Sequence, residues 1–258
     1  MLKKRIVGVV TVKDGWAVQS SSYSKYLPLG RPELIAENLD RWGVDEILLQ
    51  SIDRSRSGLG PDLDLLDRVS KFGLGTPLIY GGGISTVQHG QDVVRAGADR
   101  VVLDCALHSN SALTRSLSLK IGQQAIIGCL PVSFNKKRLE WFDYVRSEYK
   151  PLDKIKDVII NSVVSEWLIV DPVNEGKKNK FDAQIIEPLR GMIKNIIVFG
   201  GISEPQQIED LSSIDQVVAI CVGNFLNYSE LAVNKLMQEV NGTQFRDATR
   251  GFSKGVSQ

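Results

Sequence analysis

Two stretches, IYGGGISTVQ at residues 79–88 and VFGGISEPQQ at residues 198–207, decide how this chain folds. Each begins as a short apolar run, breaks on glycines and continues into a helix-start pattern, the signature of a strand–turn–helix unit. The two are copies. Asp53, Gly58, Asp64, Gly82, Gly83, Ile84, Ser85 and Gln88 recur 118 residues later as Asp171, Gly176, Asp182, Gly200, Gly201, Ile202, Ser203 and Gln206. Eight identities in one ungapped register mark an internal repeat, and a repeat of this length holds several supersecondary units.

Working outward, apolar runs near 5–11, 46–51, 77–80, 100–104, 124–130, 166–171, 195–199 and 216–221 read as strands. Helical periodicity falls between them, near 31–42, 61–72, 86–96, 110–121, 151–163, 182–193, 204–212 and 228–239. Eight βα units in 258 residues predict an α/β fold, a single (β/α)8 TIM barrel built from two pseudo-symmetric half-barrels. The whole chain, 1–258, is then one domain, with half-barrels about 1–122 and 123–240 and a polar tail over 241–258. An open doubly wound sheet is the alternative, but the early G-x-G-x-x-G of a dinucleotide fold is absent. Residues 14–30 read as a strand-like hairpin followed by a mobile loop. Residues 131–150 read as the equivalent excursion of the second half. Loops in these positions sit on the catalytic face of such a barrel.

Composition limits the functional classes. A net charge of +1 provides no general basic field for nucleic acid or an anionic membrane. The apolar runs are strand-sized and the chain starts directly on a strand, so neither a membrane span nor an export signal is expected. Cys105, Cys129 and Cys221 form no metal spacing and no disulfide framework, which predicts buried free thiols and a cytoplasmic location. His89 reads as a helix-surface residue and His108 as a loop or helix-start residue; the two form no ligand pair. No metal and no cofactor are expected.

Glycines between a strand and a helix let backbone N–H groups approach an anion at the positive helix end. Gly83, Gly176, Gly201, Gly223 and Asn224 are therefore the candidate phosphate-binding residues, the last three forming a cup after strands 7 and 8. Tight turns alone would also call for these glycines. The corresponding cup of the first half is compromised by Asp104, whose charge would repel a phosphate.

KRIVGVVTVKDGWAVQ, GVDEILLQSID, PLIYGGGISTVQ, RAGADRVVLDCAL and VFGGISEPQQIEDL together resemble the cyclase subunit of imidazole glycerol phosphate synthase, the HisF family. The likeness spans the chain to about residue 240. It implies a barrel that acts on a bis-phosphorylated substrate using an aspartate at the end of strand 1 and another at the end of strand 5. Those positions here hold Thr11 and Pro131, so the catalytic residues are unknown, with Asp53 and Asp171 as possible substitutes. Neither threonine nor proline titrates near neutral pH, and proton transfer needs a group that does. A substrate-holding lysine falls on Gln19, and the first phosphate cup's asparagine and hydroxyl residue fall on Asp104 and Cys105.

At the opposite end the resemblance implies an ammonia gate, here Arg5, Glu46, Arg100 and Glu166, and a glutaminase contact at Asp99. Gate intact and acids missing, the chain most resembles a divergent HisF-like branch associated with amidine modification of surface sugars. The expected function is a HisF-like subunit that channels ammonia from a HisH-like glutaminase to an acceptor, a surface-sugar precursor amidinated with an ATP-dependent amidotransferase. Its small-molecule partner would be phosphorylated or a nucleotide-sugar. One alternative is an imidazole glycerol phosphate synthase cyclase of histidine biosynthesis, a lyase, with an altered active site. Another is a stand-alone sugar-phosphate isomerase or binding barrel.

Overall fold

The computed structural model describes residues 3–110 and 112–227, together with Val233, Leu236, Glu239, Val240 and Phe245. Most of the helix expected over 228–239 and of the tail over 241–258 lies outside the described residues. Eight parallel strands form the barrel: β1 (Arg5–Lys13), β2 (Glu46–Ser51), β3 (Leu78–Gly81), β4 (Arg100–Leu103), β5 (Ile126–Asn135), β6 (Glu166–Val170), β7 (Ile196–Phe199) and β8 (Val217–Val222). They pair in chain order, and the β8–β1 and β5–β6 ladders leave no open edge among them. The fold is the (β/α)8 barrel that the eight units imply.

Strand periodicity divides the core in two. Val7, Val9, Leu48, Ile79, Val102, Ile127, Leu168, Val170, Ile197 and Phe199 fill the lumen. The alternate residues Ile6, Val10, Ile47, Leu49, Tyr80, Val101 and Ile169 pack outward against the helices. Both faces of the strands are dry, which is why they read as continuous apolar runs.

The helices α1 (Pro32–Trp42), α2 (Leu63–Ser70), α3 (Val87–Arg95), α4 (Leu113–Ile121), α5 (Lys156–Asn161) and α6 (Pro205–Ser212) cover the outside. Their ends follow local chemistry. The Asp62 and Thr86 side chains accept from the backbone N–H groups of Leu65 and His89, and Gly43 ends α1 in the left-handed region. The helix expected over 182–193 is instead a 3-10 segment, Ala183–Leu189. Pro188 lies inside it, has no N–H and biases the residue before it away from the α region. The excursion over 14–30 is not a hairpin followed by a mobile loop. Trp16–Ser21 and Lys25–Gly30 pair antiparallel across the whole segment and extend β1. In the second half Arg138–Asp143 and Glu148–Pro151 extend β5 in the same manner.

The repeated glycines occupy equivalent, crowded turns. Gly83 and Gly201 have φ of +71° and +89°, and a Cβ would lie 2.1 Å from the Gly60 oxygen and 2.7 Å from the Asn174 oxygen. Gly83→Ala should therefore cost about 3 kcal/mol or more in urea unfolding, since strain and a backbone clash add. Gly73→Ala, at φ +62° with open space around it, should cost only about 1 kcal/mol.

Candidate functional site

At the C-terminal end of the strands a cavity of about 620 Å³ descends between the two hairpins to Leu48, Val102, Cys129 and Leu168 of the lumen. Its rim carries Lys13, Arg56 and Lys177 as cations and Asp14 and Asp53 as anions, while Tyr23, Tyr26, Phe142, Tyr144 and Tyr149 form its walls. Tyr23 comes from the first hairpin and packs on the lumen cluster. Its ring meets Tyr144 of the second hairpin edge-on at 6.3 Å, and Phe142 and Tyr149 continue the stack at 5.1 and 4.8 Å. An aromatic bar thus crosses the mouth. Burial pushes the phenols of Tyr23 and Tyr144 well above their ordinary range. Tyrosines in both long loops were the only sequence sign of this bar.

The first hairpin is pinned by Glu175, a buried carboxyl that sequence reasoning missed. Glu175 accepts from the Ser20 hydroxyl at 2.8 Å and the Tyr23 N–H at 3.1 Å, and its own carbonyl accepts from the Ser22 N–H at 2.9 Å. Burial raises its pKa against the pull of these donors. Next to it, Asn224 donates to the Ser20 carbonyl at 2.6 Å, and a Cβ on Gly176 would lie 2.0 Å from that oxygen. Gly176 and Asn224 therefore lie under the first hairpin, Gly201 packs on the Asn174 carbonyl and Gly223 on the Phe199 ring, and none of these, nor Gly83, lines the cavity. The Gly83 N–H donates to the Ser55 hydroxyl at 2.9 Å.

Thr11 and Pro131 are buried within β1 and β5, both of which run on past them, and neither lines the cavity. Asp171 is also buried and is satisfied by the Asn174 side chain at 2.8 Å, the Asn174 N–H at 3.2 Å and the Ser133 hydroxyl at 3.3 Å. Those bonds fix the loop after β6 and leave Asp171 facing away from the lumen register of Glu166, Leu168 and Val170. Asp53 accepts from the Asp14 N–H at 2.9 Å at the cavity rim. The lumen-facing carboxyl at this end is Asp104, directly after β4. Burial, reinforced by the negative Asp143 and opposed by a hydrogen bond from Cys105, raises its pKa to about 7. Asp104 and Tyr144 also border a second cavity of about 580 Å³ beside His108 and Trp141. His108 lies in the short helix Cys105–Ser109, its ring tilted against Trp141 at 4.1 Å, and burial lowers its pKa to about 4.

The other end of the lumen holds a closed ring of charge. Arg5 contacts Glu46 at 3.2 Å and Glu166 at 2.8 Å; Arg100 contacts Glu46 at 3.1 Å and Glu166 at 2.7 Å. The Arg5–Glu46 contact is an ion pair without hydrogen-bond alignment, whereas the other three are also hydrogen bonds. Arg5, Glu46, Arg100 and Glu166 occupy the first residues of β1, β2, β4 and β6, two positions before lumen-facing side chains. Burial works against the charge of Glu166, but Arg5 and Arg100 hold its pKa below the usual carboxylate range. Asp99, exposed beside the ring, accepts from the Leu78 N–H at 2.7 Å. No cluster suited to a metal ion occurs among the described residues, and no helix among them is long and apolar enough to cross a membrane.

Arg100→Met should leave Arg5 as the one guanidinium shared by Glu46 and Glu166 and cost about 3 kcal/mol at pH 7. Because Glu166 has a lowered folded pKa, its stabilisation is present at neutral pH and lost as pH falls through that pKa. Two carboxylates that share one guanidinium take up protons more readily, so the gap between wild type and variant should narrow from pH 7 to pH 4 in denaturant titrations. Glu175 has the opposite sign: its raised pKa gives stability that fades as pH rises through it. Glu175→Ala should speed amide exchange at Tyr23 about tenfold, the equivalent of one lost hydrogen bond, while Glu175→Gln should keep the hairpin docked and remove the pH dependence.

The profile of the family described as "Histidine biosynthesis protein" matches residues 5–232. The imidazole glycerol phosphate synthase subunit HisF of Staphylococcus saprophyticus subsp. saprophyticus is 27% identical over 242 residues, covering 92% of this chain and 95% of the relative. The subunit of the same name from Pyrococcus furiosus is 25% identical over 239 residues, covering 92% and 94%. That of Anoxybacillus flavithermus is 26% identical over 246 residues, covering 93% and 97%. The chain belongs to the histidine biosynthesis protein family, as a HisF-like barrel.

Proposed function

We propose that this barrel conducts ammonia from a HisH-like glutaminase docked on its N-terminal face, around Asp99, to an acceptor at its C-terminal face. The observation that carries the reading is the four-charge ring of Arg5, Glu46, Arg100 and Glu166 closing an apolar lumen. Ammonium would lose its hydration in that lumen, whereas neutral ammonia crosses at little cost. Rearrangement of one ion pair on docking would open the ring. Since Thr11 and Pro131 supply no proton-transfer group, the acceptor differs from a histidine precursor; a phosphorylated or nucleotide-sugar bound for amidination by an ATP-dependent amidotransferase fits the mixed aromatic and cationic mouth.

With glutaminase and glutamine, the purified chain should deliver ammonia more efficiently than equal free ammonium. Arg5→Ala and Glu166→Ala should lose that advantage by about tenfold or more, as expected for loss of a contact network worth a few kcal/mol. Absence of any glutaminase binding in calorimetry would overturn the conduit.

The relatives' names favour a second reading, an imidazole glycerol phosphate synthase subunit with an altered site. It requires rescue of a histidine auxotroph lacking the cyclase; no rescue at good expression removes it.

A further inference from the structure

The second cavity, of about 580 Å³, lies beside the barrel and not in it, since none of the lumen residues lines it. It opens between the second hairpin, the short helix Cys105–Ser109 and residues 151–158. Two rings on its wall lack hydrogen-bond partners among the described residues. Trp141, in the middle strand of the hairpin, is 4% exposed, and its indole N–H is unpaired. The His108 ring, centred 4.1 Å away, is unpaired at both nitrogens. Buried polar atoms are paired in the great majority of cases, so three orphans on two touching rings, at the wall of one ligand-sized cavity, call for a further partner. Each nitrogen exposes less than 1 Å², so solvent does not reach it. The torsion that turns such rings is soft, and a small turn brings the nitrogens towards the cavity that both rings line.

The chemistry of the wall selects the guest. Asp143 is balanced by Lys150 at 2.8 Å and Arg146 at 3.4 Å, and the Arg146 and Lys154 side chains are exposed to water. Burial keeps the His108 imidazole uncharged at pH 7. A charged guest would lose its hydration beside these two rings, so a neutral one is favoured. Pro151, Ile155 and Val158 add apolar wall. A neutral imidazole has one N–H and one bare nitrogen, whereas an indole has an N–H alone. The guest must therefore offer an acceptor to the indole and, beside it, a donor to the imidazole. An amide carries the two on separate atoms, a ketone lacks the donor, and a hydroxyl has one atom for both.

We propose that this cavity binds a small neutral molecule with an amide or lactam group on an apolar body: the carbonyl accepts from the Trp141 indole, the N–H donates to His108, and the hydrocarbon part packs on Ile155 and Val158. The site lies off the ammonia path and does not depend on it.

δ-Valerolactam is the probe, with cyclohexanone and cyclohexanol as comparators of the same size. The four tryptophans give four indole N–H signals in nitrogen-15 NMR. Trp141→Phe identifies the one that belongs to Trp141, or through-bond assignment does so if that variant does not fold. At pH 7 the lactam should shift the Trp141 signal saturably and leave those of Trp16, Trp42 and Trp167 in place. Its dissociation constant should lie about tenfold below those of the ketone and the alcohol, as one further hydrogen bond would give. In His108→Phe, whose indole signals report whether it is folded, that preference should disappear; the comparison of the three probes on wild type needs no variant. Absence of a saturable shift, which leaves water alone in the cavity, equal affinity for the three probes, or a lactam preference that survives His108→Phe would each overturn the proposal. None of these readouts involves a glutaminase, so they fail or succeed separately from ammonia conduction.

Discussion

Closure of the parallel sheet imposes the constraint on which the rest of this molecule depends. Once β8 pairs with β1 and β5 with β6, every second strand residue must point into one enclosed lumen. The strand β1 therefore carries, at one parity, Arg5 in the charge ring, Val7 and Val9 in the lumen and Thr11 towards the mouth. A one-residue slip would bury Ile6 and Val10 inside and drive Arg5 into the helix layer. The same parity explains why Asp104 faces the lumen while Asp171 serves the loop after β6.

The two ends of the lumen are closed by different physics. At the N-terminal end four charges satisfy one another, and charge pairing must offset desolvation at a site where apolar residues would be at least as stable. At the C-terminal end two hairpins, each an extension of a barrel strand, bring Tyr23 against Tyr144. That contact is non-polar and joins the half-barrels through their loops. Glu175 anchors one side of it by holding Ser20, Ser22 and Tyr23, so the lid is tied to the loop after β6 rather than free to fray.

Most of the architecture was legible in the sequence because it is written in local signals: apolar runs of strand length, glycine breaks and a repeat offset of 118 residues. The ring of Arg5, Glu46, Arg100 and Glu166 was legible as charges at strand starts, although its four mutual contacts were not, since they join residues up to 161 positions apart. The 3-10 character of Ala183–Leu189 was hidden behind helix-period apolar residues, with Pro188 as the warning. The aromatic bar and Glu175 were not legible, because hairpin placement depends on long-range packing and not on the polar composition of SSSYSKY or WFDYVRSEYK. Asp104 could be read only as a misfit among glycines. Its near-neutral titration depends on burial beside Asp143, which lies 39 positions away.

Neither Thr11 nor Pro131 titrates near neutral pH, and that has a structural corollary. Both β1 and β5 continue beyond these residues into antiparallel hairpins, and the hairpins roof the lumen. Ionised carboxylates at these two buried positions would each require a partner to offset desolvation. A threonine and a proline remove that demand, and the lumen-facing carboxyl at this end, Asp104, has its pKa raised by burial to about 7. The non-titrating Thr11 and Pro131, the aromatic roof and the raised pKa of Asp104 are therefore mutually consistent with an apolar lumen beneath a polar-rimmed mouth.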